Sequence, residues 1–224
     1  MNIFDRLKIL TNKVPFKETL RPLYQPLLEK IKFYFQTKRL QDSGYDVLKQ
    51  SKLALDELGL TYWLEFGTLL GFVRDGGLIK HDTDLDFGVF LDEYNENTQK
   101  VFEKHGFKIV HELGIEDKSG LEQTFEYKGI NVDLFYFTKD KEDMFCHVFM
   151  LAENKERIIR EIHTKYTGFK KANFNGMDFL IPNDEIQRLT DTYGKKYLIP
   201  DKNFHTPSMA FNSKLIDKKV IYIS

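Results

Sequence analysis

Two spacings of apolar residues run through this chain, one of period two and one close to 3.6, and the points where they exchange mark its elements. In "DLDFGVF", residues 84–90, the alternation is clean: Leu85, Phe87 and Val89 fall on one face of a strand, and Asp84, Asp86 and Gly88 on the other. "TYWLEF", 61–66, reads as a buried strand, and "FKIVHEL", 107–113, as another. "LEQTFEY" and "INVDLFYF" flank Lys128-Gly129, and "ANFNGMDFLIP" folds back at Asn175-Gly176, so both predict two-residue hairpins.

Helical spacing predicts a basic amphipathic helix over Pro26–Leu40, after Pro15 and Pro22. A second helix is predicted over 46–60, with Leu48, Ser51, Leu55 and Leu58 on one face and Gly59 at its end. Shorter helices are expected in "LLGFVRD" (69–75), over 92–105 closed by Gly106, and over 151–163. After Pro182, Asn183 can cap a further helix with Ile186, Leu189 and Tyr193 inward and Gly194 at its end. The expected fold class is mixed α/β or α+β, one domain over 45–224 preceded by a basic helical segment over 1–44.

Composition narrows the partners. The chain's 224 residues, 42% of them hydrophobic, suffice for a sizeable core and exclude a disordered chain. Thirty-three basic residues against 34 acidic ones leave a formal charge of −1, so no nucleic acid partner is expected. The cations gather at one end, where residues 1–45 hold nine Lys or Arg against four acids. The single cysteine, Cys146, excludes an intrachain disulfide and in "MFCHVFM" reads as a buried thiol. No apolar run approaches the ~18 residues of a spanning helix, and a cytoplasmic location is expected.

"GTLLGFVRDGGLIKHDTDLDFGVF", residues 67–90, holds the chemistry. Asp84 and Asp86 leave one face of a strand about 6–7 Å apart at the backbone, close enough to share one small cation. Asp133, on a face with Asn131 and Phe135, completes a hard-oxygen set if its strand lies alongside, which suits Mg²⁺ or Mn²⁺ rather than zinc. Gly67-Thr68 sits at a strand-to-helix turn whose free N–H groups can hold phosphate. Arg74 offers a forked donor for phosphate oxygens, its ordinary structural role being an ion pair with Asp75 or Asp82. Gly76-Gly77 lets the chain turn back towards the aspartates.

Gly67-Thr-Leu-Leu-Gly71, Arg74, Gly77, Ile79 and "HDTDLDFGV" together resemble the nucleotidyltransferase-fold motif of the LicD and fukutin family. "NVDLFYF" is similar to that family's later motif, and "IPNDEIQRLTDTYGKKYLIP" to its C-terminal element, so the resemblance spans about residues 45–200. His81 stands where the family commonly has tryptophan, Thr83 replaces an acid, and Tyr197 replaces a tryptophan. The resemblance implies a nucleotidyltransferase-like fold with a mixed twisted sheet flanked by helices. It implies Asp84, Asp86 and Asp133 as metal ligands, with Asp133 also a candidate base and Asp82 in support. Gly67, Thr68, Arg74, Lys80 and His81 would bind the donor.

Its functional implication is an Mg-dependent phosphotransferase. A phosphocholine- or ribitol-phosphate-like group would pass from a CDP-activated donor to a hydroxyl of a cell-surface glycan or its lipid-linked precursor. The rival reading is a nucleotidyltransferase that moves a nucleotide from a nucleoside triphosphate on the same fold. A third reading is a non-catalytic membrane-surface adaptor. Residues 1–44 are a place for peripheral contact with the inner membrane face, although most such helices pack on their own domain.

Overall fold

One helix, α1 (Lys17–Leu58), replaces the two predicted around residues 26–40 and 46–60 and carries the chain through Pro22, Pro26 and position 44. The polar stretch at 41–45 does not break it. Leu40, Val47, Leu48, Ser51, Ala54 and Leu55 repeat at helical spacing on both sides and are fully buried, so one face remains continuous. The computed structural model describes residues 17–151, 157–201, 204 and 206–223. Residues 1–16 of the basic segment, 152–156 and His205 lie outside the described residues.

Among the described residues eleven strands form one mixed sheet. They are β1 (Tyr62–Leu64), β2 (Asp84–Phe90), β3 (Lys108–Ile115), β4 (Leu121–Tyr127), β5 (Ile130–Asp140) and β6 (Asp143–Leu151), followed by β7 (Arg157–Lys165), β8 (Phe169–Phe174), β9 (Met177–Pro182), β10 (Ser213–Ile216) and β11 (Val220–Tyr222). The main order is β10-β7-β6-β5-β2-β1-β9-β8, while β4, β3 and β11 continue from the first half of β5. β5 therefore forks: beyond its parallel partner β2, residues 130–135 pair with β4 and residues 137–140 with β6. At the β4–β5 turn Lys128 and Gly129 both have positive φ, 54° and 74°, as a primed two-residue hairpin requires.

The sheet buries both faces. α1 and the Leu85, Phe87, Val89, Val132 and Leu134 side chains form the larger cluster. Trp63, Phe66, Phe135, Phe137, Cys146 and Ile162 form a second on the opposite face. Gly88 is required there, because a β-carbon at that position would lie 2.2 Å from the Trp63 indole. Cys146 is fully buried, and burial raises its thiol pKa well above the ordinary value.

The helix predicted over 151–163 is corrected: residue 151 ends β6, and residues 157–163 belong to β7. The buried residues Ile159 and Ile162 imitate helical spacing because they face opposite sides of the sheet and join different clusters. Over 92–105 the helical part shrinks to a 3₁₀ turn (Leu91–Glu93) and α3 (Thr98–Lys104). Asp184 rather than Asn183 caps α4 (Glu185–Tyr193), accepting from the Gln187 N–H at 3.2 Å. Leu189 is buried, but Ile186 is exposed. Among the described residues no helix is long and apolar enough to cross a membrane.

Candidate active site

The parallel ladder between β2 and β5 sets Asp86 opposite Asp133 and Asp84 opposite Asn131. Strand alternation then aims Asp84, Asp86 and Asp133 into one cavity of about 890 Å³. Gly67, Arg74, His81 and Asp82 also line it, whereas Lys80 is exposed and lies outside the lining. The structure thus brings eight of the nine expected positions together or into direct contact with one another, Thr68 by way of Asp86.

The turn that feeds the cavity is held from behind. Helix α2 (Phe66–Leu70) follows β1 directly, and Phe66 takes φ of 40°, a left-handed conformation that costs a bulky residue roughly 1–3 kcal/mol. Its ring packs edge-on against Phe135 with centroids 4.8 Å apart. Glu65, just before it, accepts from the Trp63 indole at 2.6 Å and from Arg188 of α4 at 2.8 Å, both inside the protein. A backbone bond from the Glu65 N–H to the Asp86 carbonyl, 3.2 Å, ties the turn to β2.

Gly67 and Thr68 serve the aspartates at close range. A β-carbon at Gly67 would lie 2.5 Å from Oδ2 of Asp82 and 3.1 Å from Oδ2 of Asp86, so glycine allows the carboxylates to approach the backbone. Thr68 is buried, and its Oγ1 accepts from the Asp86 N–H at 2.8 Å while its own N–H donates to Asp86 Oδ2 at 3.3 Å. Its Oγ1 thereby holds the Asp86 backbone in place. Arg74 lies in a π-helical turn, Gly71–Asp75, and grips Asp75 with two donors at 2.9 and 2.8 Å. That pairing holds the Asp75 carboxyl below its ordinary pKa.

Sequence reading passes over the outer partners of Asp133. The Thr124 hydroxyl donates to Oδ1 of Asp133, His111 Nε2 lies 3.0 Å from the Thr124 oxygen, and Glu122 Oε1 lies 3.4 Å from the same Nε2. The Lys128-Gly129 hairpin was a usable signal for Thr124, because a two-residue turn fixes Thr124 opposite Asp133. His111 had none, since it reaches Thr124 through a register shift between Ile109 and His111.

Acids outnumber cations along the described wall of the cavity. Asp82, Asp84, Asp86, Glu122, Asp133 and Asp201 face Arg74 and Lys196, six acids against two fixed cations. Burial first, and then the neighbouring Asp84, push Asp82, Asp86 and Asp133 well above the ordinary carboxylate range. Asp82 also hydrogen-bonds Asp84. Among the described residues no three carboxylate, imidazole or thiolate side chains are already gathered at ligating distance. The case for a cation rests on donor chemistry and charge: crowded hard oxygens, each destabilised by the next, match a divalent ion of the Mg²⁺ or Mn²⁺ kind.

Strand-turn-helix, paired aspartates on β2 and a third on the adjoining parallel strand define a nucleotidyltransferase-type domain. The family model "LicD/FKTN/FKRP, nucleotidyltransferase domain" matches residues 59–184, and the chain belongs to that family. It is 27% identical over 164 residues to ribitol-5-phosphate transferase FKTN of Homo sapiens, covering 72% of this chain and 34% of that protein. An uncharacterized protein of Rickettsia prowazekii is 28% identical over 202 residues, 87% of this chain and 70% of its own length. Ribitol 5-phosphate transferase FKRP of Homo sapiens is 34% identical over 89 residues, 37% of this chain and 18% of that protein. The chain thus spans about a third of the fukutin that it matches.

Proposed function

We propose that the protein transfers a phospho-alcohol, of the ribitol-phosphate or phosphocholine kind, from a CDP-activated donor to a hydroxyl of a cell-surface glycan or its precursor. The observation that carries this reading is the placement of Asp86 opposite Asp133 on adjacent parallel strands, with Asp84 beside them, in one acidic cavity. Relatives named as ribitol-phosphate transferases support the class of group transferred.

In this reading Asp84, Asp86 and Asp133 hold a divalent cation, Mg²⁺ or Mn²⁺. When bound, the ion offsets charge on the donor diphosphate and favours loss of the leaving phosphate. The chain's own groups do the rest. Backbone N–H groups of the Gly67 turn receive donor phosphate. The acceptor hydroxyl attacks the distal phosphorus, its proton passes to Asp133 Oδ2, the new P–O bond forms, and the bond to CMP breaks. Thr124 keeps Oδ1 of Asp133 engaged, so the other oxygen is the one presented. Arg74, released from Asp75, stabilises the charge gathering on CMP. Lys80 is exposed beyond the lining and is given no part in this scheme, and His81 serves as a wall of the donor site.

Incubating the protein and Mg²⁺ with CDP-ribitol or CDP-choline labelled in the alcohol, and in parallel with α-labelled CTP, tests the assignment. Label from the alcohol moving to a glycan acceptor, with CMP released, supports it. Nucleotide label on the acceptor would replace it with nucleotidyl transfer.

A further inference from the structure

We infer that α1 and the loop after α4 form a docking surface for an anionic lipid bilayer, with the mouth of the acidic cavity opening between them. Two residues of the cavity lining mark this mouth: Phe33 of α1, 49% exposed, and Ile199 of the loop, 66% exposed. Both elements carry the same chemistry. On α1, Leu27, Lys30, Tyr34 and Lys38 fall within an arc of about 80° at 100° per residue, and all four are exposed. Leu27 and Tyr34 are 60% and 59% exposed, so two large apolar side chains stand among lysines with nothing of the described fold covering them.

The loop repeats the arrangement without a helix. Lys195 and Lys196 are exposed, Tyr197 is buried as an anchor, and Leu198 follows at 61% exposure beside Ile199. Consecutive aliphatic side chains held out by a buried tyrosine, next to lysines, suit an interface where apolar groups enter between headgroups and ammonium groups meet lipid phosphates. Charge decides for lipid over a second copy of the chain. The chain as a whole is at −1, yet the exposed cations Lys30, Lys38, Lys195 and Lys196 stand on these two elements, Lys196 in the cavity lining itself, so two such faces would repel. With the mouth facing headgroups, an acceptor carried on lipid would reach the cavity without leaving the bilayer. That last point rests on the transferase reading, while docking itself does not.

Co-sedimentation of the full chain with vesicles tests it, without substrate. Vesicles of phosphatidylcholine mixed with phosphatidylglycerol should bind the protein, phosphatidylcholine alone much less, and high salt should release it. Lys30→Glu with Lys38→Glu, and separately Leu198→Asp, should each weaken binding about tenfold or more while the circular dichroism and melting temperature stay at wild-type values. Asp86→Asn should bind vesicles like the wild type, which separates docking from catalysis. Absence of wild-type binding to the anionic vesicles, or equal binding by these surface variants, would overturn the inference. Self-association abolished by Leu198→Asp without vesicle binding would do so as well.

Discussion

Thr124 and Asp133 face each other across the β4–β5 ladder, and the Thr124 hydroxyl donates to Oδ1 of Asp133. The same hydroxyl oxygen has His111 Nε2 3.0 Å away, leaving the imidazole N–H as its natural donor. A chain of donors therefore ends on Oδ1 of the carboxylate that the proposed reaction uses as its base, and Oδ2 takes no part in that chain.

Removing that hydroxyl at constant shape tests the arrangement. Thr124→Val should lower kcat by roughly 10- to 100-fold, the loss of a hydrogen bond to a charged group worth about 1.5–3 kcal/mol, and leave KM for the donor nearly unchanged. Thr124→Ser should restore most of it. Steady-state kinetics of the two variants side by side give the answer.

Asp86 is buried among like charges, so its ionised form opposes folding of the metal-free protein. Asp86→Asn should raise the melting temperature of that form by a few degrees, as expected for about 1 kcal/mol in a chain of this size, and abolish transfer. A scanning calorimeter run beside an activity assay checks both halves.

The pH dependence follows from the same crowding. Asp82, Asp86 and Asp133 have folded-state pKa values above the unfolded ones, so the stability that they contribute is complete at low pH and is lost as pH rises through the folded values. Metal-free protein should accordingly melt lower at pH 8 than at pH 5.5. Added Mg²⁺ should raise the melting temperature at pH 8 and much less at pH 5.5. Thermal denaturation at the two pH values, with and without the ion, measures this.

Glu65 and Arg188 lock the turn before Gly67 from inside the protein. Two nitrogens of Arg188, Nε and Nη1, have no hydrogen-bond partner among the described residues, though the guanidinium lies 5.3 Å from the Phe137 ring centroid. Arg188→Met should cost about 3–5 kcal/mol by leaving the Glu65 charge alone. Glu65→Gln added to it should recover much of that loss, because the amide oxygen still accepts from Trp63. Urea unfolding of the single and double variants decides it.

What the sequence disclosed tracks how local each signal is. The β2 alternation and the two glycine hairpins depend on neighbouring residues and stand where the pattern placed them, while Gly67 and Thr68, expected as a turn before a helix over 69–75, lie inside α2. The β7 sequence carries a helical spacing because the period rule assumes a single buried face, and Ile159 and Ile162 bury into opposite ones. The length of α1 was hidden by its polar middle. Thr68 reads in sequence as a phosphate donor but turns inward to Asp86, a contact set by tertiary packing. The β3 register shift that delivers His111 leaves no trace in composition.

The central claim is that Asp84, Asp86 and Asp133 act together on one divalent ion. Crystals soaked with Mn²⁺ and a CDP-alcohol, measured at the manganese edge, should show anomalous density between these three carboxylates and the donor diphosphate, and lose it in Asp86→Asn. Density elsewhere, or none in the wild type with donor bound, would contradict the account.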